Sequence, residues 1–163
     1  MIEISENLGT LEIPKYHKIK NKNKWIDPHT PSCWSEKIHG ANFRIIIDVD
    51  GSISYGSREQ LLNPEEDRDN DFMGYKSLLP EIRVFANLAH KLICRKRHLI
   101  IFGEMFGHRI QKEIEYGLKD AQKRYFLAFD IMIDDLYVSA EKFENICKIC
   151  NIPYIPLHYG TWK

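Results

Sequence analysis

The sequence predicts an α+β fold with antiparallel strands and flanking helices. Three observations carry this: an alternating run closed by Asp-Gly over residues 42–56, two strongly apolar runs at 99–104 and 125–133, and two stretches of three- and four-residue apolar spacing at 80–97 and 139–150. The chain has 163 residues, 44% of them hydrophobic and 28% charged, enough to bury a core as one domain. Basic and acidic residues balance at 23 each, so global charge gives no argument for a nucleic-acid partner. No apolar run approaches the ~20 residues that span a bilayer. The start, Met1-Ile2-Glu3-Ile4-Ser5-Glu6, lacks the basic-then-apolar form of a signal peptide. The expectation is an intracellular protein without a membrane partner.

Taken in order, residues 15–24 carry five lysines around Tyr16, His17 and Ile19. They read equally as an RNA-contacting arm or a solvated surface segment. Trp25 and Trp34 flank a turn containing Pro28 and Pro31. From 42 to 49 the residues alternate: Phe43, Ile45, Ile47 and Val49 on one side, Asn42, Arg44, Ile46 and Asp48 on the other. Asp50-Gly51 marks a hairpin turn, and Ser52–Gly56 is the return strand. The acids of 63–71 do not fit a calcium-loop spacing, so they read as a solvated loop. Pro80 suits a helix's first turn, with Ile82, Phe85, Leu88, Ala89 and Leu92 as its apolar stripe and Arg95-Lys96-Arg97 at its C-terminus.

Leu99–Glu104 and Tyr125–Ile133 read as buried strands, and Asp134-Asp135 as a turn. Ser139 is placed to cap a helix with Glu141 in its first turn. Phe143, Ile146, Cys147 and Cys150 share one face of that helix, so the lone Cys147–Cys150 CxxC reads as core rather than as a metal or redox site. Residues 152–157 read as a short extended segment.

Chemistry concentrates at Ser35-Glu36-Lys37-Ile38-His39-Gly40-Ala41-Asn42-Phe43. A lysine beside a strand, next to a glycine that lets a phosphate approach the backbone, is a candidate covalent nucleophile. Glu104 and Asp130 stand out as carboxylates inside apolar strands, which is costly unless they are paired or functional. Each has a plainer reading: Lys37 as a surface lysine, Phe129 as core, Glu104 as the structural ion-pair partner of Arg58, His39 as a turn cap.

Together these residues resemble the ATP-dependent RNA ligases typified by the second RNA ligase of phage T4 and the RNA-editing ligases. Lys37-Ile38-His39-Gly40-Ala41-Asn42 is similar to their first motif, Lys-x-His-Gly-x-Asn; His39 stands where DNA ligases and capping enzymes usually carry aspartate. Ser57-Arg58, Asp71-Phe72-Met73-Gly74-Tyr75, Phe102-Gly103-Glu104-Met105-Phe106-Gly107 and Phe129-Asp130-Ile131 resemble later motifs in the same order. Ile110-Gln111-Lys112 and Tyr116-Gly117 also recur in that family. The resemblance runs from about residue 15 to the end.

The resemblance implies a nucleotidyltransferase fold, ATP and magnesium as cofactors, and RNA ends with a 5′-phosphate and a 3′-hydroxyl as partners. It implies Lys37 as the nucleophile that carries AMP, Glu36 and Phe129 reading adenine, Arg58 and Glu104 at the ribose or phosphates, His39 and Asn42 on the phosphate side, and Asp130 as a positioning residue. The family's fourth motif, a Glu-Gly pair, and its fifth, Lys-x-Lys, belong downstream of these, and neither occurs between Ile131 and Lys163. The expectation is therefore one incomplete adenylyltransferase domain over 1–163, the N-terminal part of a longer ligase. The alternatives are a short subunit needing a partner chain, or a catalytically incomplete nucleotide- or RNA-binding module. Without the cations of those motifs, little lysyl-AMP is expected from these residues alone.

Overall fold

The computed structural model describes residues 14–17, 29–68, 72–111, 116 and 122–161. Its strands are β1 (Pro31–Ser35), β2 (Ala41–Ile47), β3 (Ile53–Ser57), β4 (Leu61–Leu62), β5 (Leu99–Gly107), β6 (Arg124–Ile133), β7 (Leu136–Tyr137) and β8 (Leu157–Thr161), with helices α1 (Leu79–Ala89) and α2 (Ala140–Cys150). Six strands form an antiparallel sheet in the order β4-β3-β2-β5-β6-β7, and β1 pairs with β8 in a separate ribbon.

The alternation of β2 decides which face is buried by what. Phe43, Ile45 and Ile47 join Ile101, Met105, Phe126 and Ile131 against the helices, which contribute Ile82, Phe85, Ala89, Phe143, Ile146, Cys147 and Cys150. The opposite face carries a smaller cluster of Ile46, Ile100, Phe102 and Met132, with Tyr16 and Phe129 packed on it. Val49 is exposed, because the chain has already entered the turn: the Gly51 amide donates to the Asp48 carbonyl, and Gly51 takes the left-handed φ of 88° that closes it.

The predicted helix at 80–97 is present with Pro80 in its first turn, but its last turn, His90–Cys94, is π-helical. That wider turn carries the stripe further along the chain. Leu92, expected inward, is exposed, and Cys94 is buried in its place. Ser139 caps α2 by accepting from the Lys142 amide. Cys147 and Cys150 are buried free thiols, and burial pushes the Cys147 thiol up to about 12, so they are core.

Three expectations need correction. Pro31–Ser35 is a strand rather than part of a turn, and the extended segment after α2 continues into β8. The acidic loop is not wholly solvated, since the Asp67 carboxylate accepts from the Tyr75 hydroxyl at 2.6 Å and its carbonyl from the Lys76 ammonium. Lys18–Lys24, Trp25, Pro28, Asp69–Asp71, Lys112 and Gly117 lie outside the described residues.

Candidate functional site

Lys37 sits, exposed, in the link between β1 and β2. Three residues on, the chain is pressed against β5: a Cβ on Gly40 would stand 2.1 Å from the Met105 carbonyl oxygen, so only glycine fits. The Gly40 amide donates to Glu104 Oε1 at 3.2 Å. Asn42 and Glu104 are direct cross-strand partners and share a face. Glu104 is half-buried, and burial raises its carboxyl above the ordinary value; the Gly40 N–H, Arg58 and Lys37 pull the other way without prevailing. Arg58 is exposed at the end of β3, and Glu104 is in no close ion pair among the described residues, so the structural Arg58–Glu104 pair is not formed.

A second group lies close by on β6, where Asp130 pairs with Phe102, two residues from Glu104 along β5. β6 bulges opposite Phe102 and Gly103: Phe102 pairs with Asp130 and Gly103 with Ala128, leaving Phe129 unpaired. Phe129 and Asp130 both border a cleft of about 260 Å³, with Trp34, Ser35, Val138 and Leu157 on its other walls. That is just below the ~300–1,000 Å³ of pockets for drug-sized ligands, a scale that suits a planar base. Glu36 follows the cleft-lining Ser35 directly in the chain and is exposed. The two groups are thus joined by the short segment Ser35–Lys37. A larger cleft of about 670 Å³, beside β3, β4 and α1, contains none of the predicted site residues.

Two partners carried no assigned role in the sequence reading. Tyr16 donates its hydroxyl to Asp130 Oδ2 at 3.2 Å and meets the Phe129 ring edge-on at 4.8 Å between centroids. Burial, then the Asp130 charge, push the Tyr16 hydroxyl well above its ordinary value, so it stays a donor. The aromatic set among lysines was the signal available for it. Tyr16 is tied down through Arg44, a 3% exposed guanidinium whose Nη1 donates to the Pro14 carbonyl at 2.9 Å. Tyr116 is the second, accepting from the His39 amide at 2.5 Å.

The profile of the RNA ligase family matches residues 31–163. This chain belongs to that family. It is 34% identical over 107 residues to the mitochondrial RNA-editing ligase 2 of Trypanosoma brucei brucei, which covers 57% of this chain and 25% of that protein. Among solved structures, Naegleria gruberi RNA ligase variants match with TM-scores of 0.63, with ATP and manganese, and 0.64, with AMP and manganese. Their identities are 18% and 17%; each covers 83% of this chain, and 38% and 39% of the longer one. The fold is therefore the RNA ligase nucleotidyltransferase fold, and the chain spans about a quarter to two fifths of these relatives. Among the described residues no helix is long and apolar enough to cross a membrane.

Proposed function

We propose that this RNA ligase chain carries the nucleotide-binding and lysine-adenylylating part of an ATP-dependent RNA end-joining reaction. The observation that supports this best is the placement of Lys37. It precedes by three residues a loop glycine with no room for a side chain, lies within electrostatic reach of Glu104, and is joined through Glu36 to a base-sized cleft walled by Phe129.

In this reading adenine enters the cleft against Phe129, with Glu36 at its edge and Asp130, fixed by Tyr16, behind it. Glu104 and Arg58 face the ribose and phosphates, and His39 and Asn42 shape the phosphate side. The Lys37 amine, once deprotonated, forms a bond to the α-phosphorus while the bond to pyrophosphate breaks. AMP then passes to an RNA 5′-phosphate, and a 3′-hydroxyl displaces it to join the ends. A magnesium ion would be held largely by phosphate oxygens and water. Bound there, it would offset phosphate charge.

The test is transfer of label from α-labelled ATP with magnesium to denatured protein. Label is expected on Lys37 when the fourth- and fifth-motif residues are supplied, by a C-terminal segment or a partner chain, and weakly without them. Lys37→Ala should abolish it. Lys37→Arg should too, since a guanidinium stays protonated. Label that survives in Lys37→Ala removes the assignment, and AMP binding with no label at all leaves a nucleotide-binding module.

A further inference from the structure

The peptide groups of His39 and Gly40 are held by side chains from elsewhere. The Tyr116 hydroxyl accepts from the His39 amide at 2.5 Å and donates to the His39 carbonyl at 3.3 Å. Glu104 Oε1 accepts from the Gly40 amide, and Gln111 Nε2 donates to the Gly40 carbonyl at 3.4 Å. All four backbone groups of the dipeptide are thus satisfied by three side chains, so the loop does not depend on its own turn hydrogen bonds for its shape. Tyr116 and Gln111 are the members of this set that the adenylylation scheme leaves unused, and Tyr116 holds the residue nearer Lys37. Its ring is set against Phe106 at 5.3 Å and 70°, which aims the hydroxyl at the loop. One hydroxyl that both accepts from and donates to the same residue reads only the backbone, so it fixes a conformation rather than recognising a side chain.

We infer that Tyr116 is a positioning residue for Lys37: its hydroxyl clasps the His39 peptide groups and so holds the amine of Lys37 in line for attack. This rests on the reading of Lys37 as nucleophile. Glu104 already pins Gly40 from the β5 side, and Gly40 itself lies against the Met105 carbonyl. Tyr116 supplies the remaining restraint one residue closer to Lys37. Misplacement of a reacting atom by about 1 Å costs up to ~100-fold in rate, so loss of this restraint is expected to show in the chemical step.

Tyr116→Phe removes the hydroxyl and keeps the ring on Phe106, so the melting temperature should hold. Amide exchange is read first, on the wild-type chain and the variant. The His39 amide should exchange about tenfold faster in Tyr116→Phe, while the β2 amides stay unchanged. Unchanged exchange at His39 overturns the clasp. Single-turnover labelling from α-labelled ATP, with any segment the wild type needs present, is read second. The rate should fall about 10- to 100-fold with AMP affinity within about twofold of wild type. An unchanged rate overturns the proposal. So does an affinity that falls in step with the rate, since the hydroxyl would then be binding nucleotide. If wild type carries no label on Lys37, the nucleophile reading fails and takes the positioning of Lys37 with it. Faster exchange at His39 would then leave Tyr116 as a contact that orders the loop only.

Discussion

At Glu104 two effects compete on one carboxylate. Burial disfavours its charge, and a backbone N–H with two cations favours it; burial wins, because both cations are solvent-exposed and screened. A folded-state value above the unfolded one means that protonated Glu104 favours the fold. That contribution is full below the ordinary carboxyl value and is lost as pH rises through the raised one. Glu104→Gln, which keeps an oxygen for the Gly40 amide, should therefore gain stability relative to wild type between about pH 4 and about pH 7. Thermal melts at the two pH values check this; an equal difference at both would mean that burial does not govern Glu104. Glu104 was legible in the sequence because a carboxylate in an apolar strand is anomalous. Tyr116 and Gln111 were legible only as recurring residues, since nothing in a linear pattern shows that a side chain bonds a backbone more than 70 residues away.

The strands and helices were mostly legible, since β2, β5, β6 and α2 announce themselves by period, turn residues and a capping serine. The misses have local causes. A π-helical turn has no apolar period of its own, so the stripe ending in Leu92 ran out of phase there and Cys94 is buried instead. The bulge in β6 was equally hidden. Core-facing Ala128 and Ile131 are three apart rather than two, which frees both Phe129 and Asp130 from the core face. A regular strand would present only one of them to the cleft. Phe129→Leu keeps a half-buried apolar side chain there and removes the ring. ATP affinity should fall by the ~1–3 kcal/mol typical of base stacking. Stability should fall less, by about the 0.5–1.5 kcal/mol of the ring contact with Tyr16. Titration and melting on the same samples separate these; lowered stability with unchanged affinity would make Phe129 packing alone.

Across the whole molecule, order is uneven. The central sheet is buried against helices, whereas β1 and β8 are a five-pair ribbon of mostly exposed residues. Leu157 packs on the main core, but two strands with so little of either face covered are marginal in water. Amides of Pro31–Ser35 and Leu157–Thr161 that are bonded across the ribbon should exchange well before those of β2, β5 and β6. Protection equal to that of β5 would show the ribbon to be part of the main cooperative unit. The ribbon escaped sequence reading because its two halves lie roughly 120 residues apart and neither alternates strongly. The same pairing has a consequence in time. On a ribosome the strand leading into Lys37 emerges roughly 6–24 s before its partner, at ~5–20 residues per second. For that interval Trp34 and an open strand edge face the crowded interior of the cell, so the stretch that leads to the reactive lysine is also where a newborn chain is most exposed to wrong pairing and to chaperone capture.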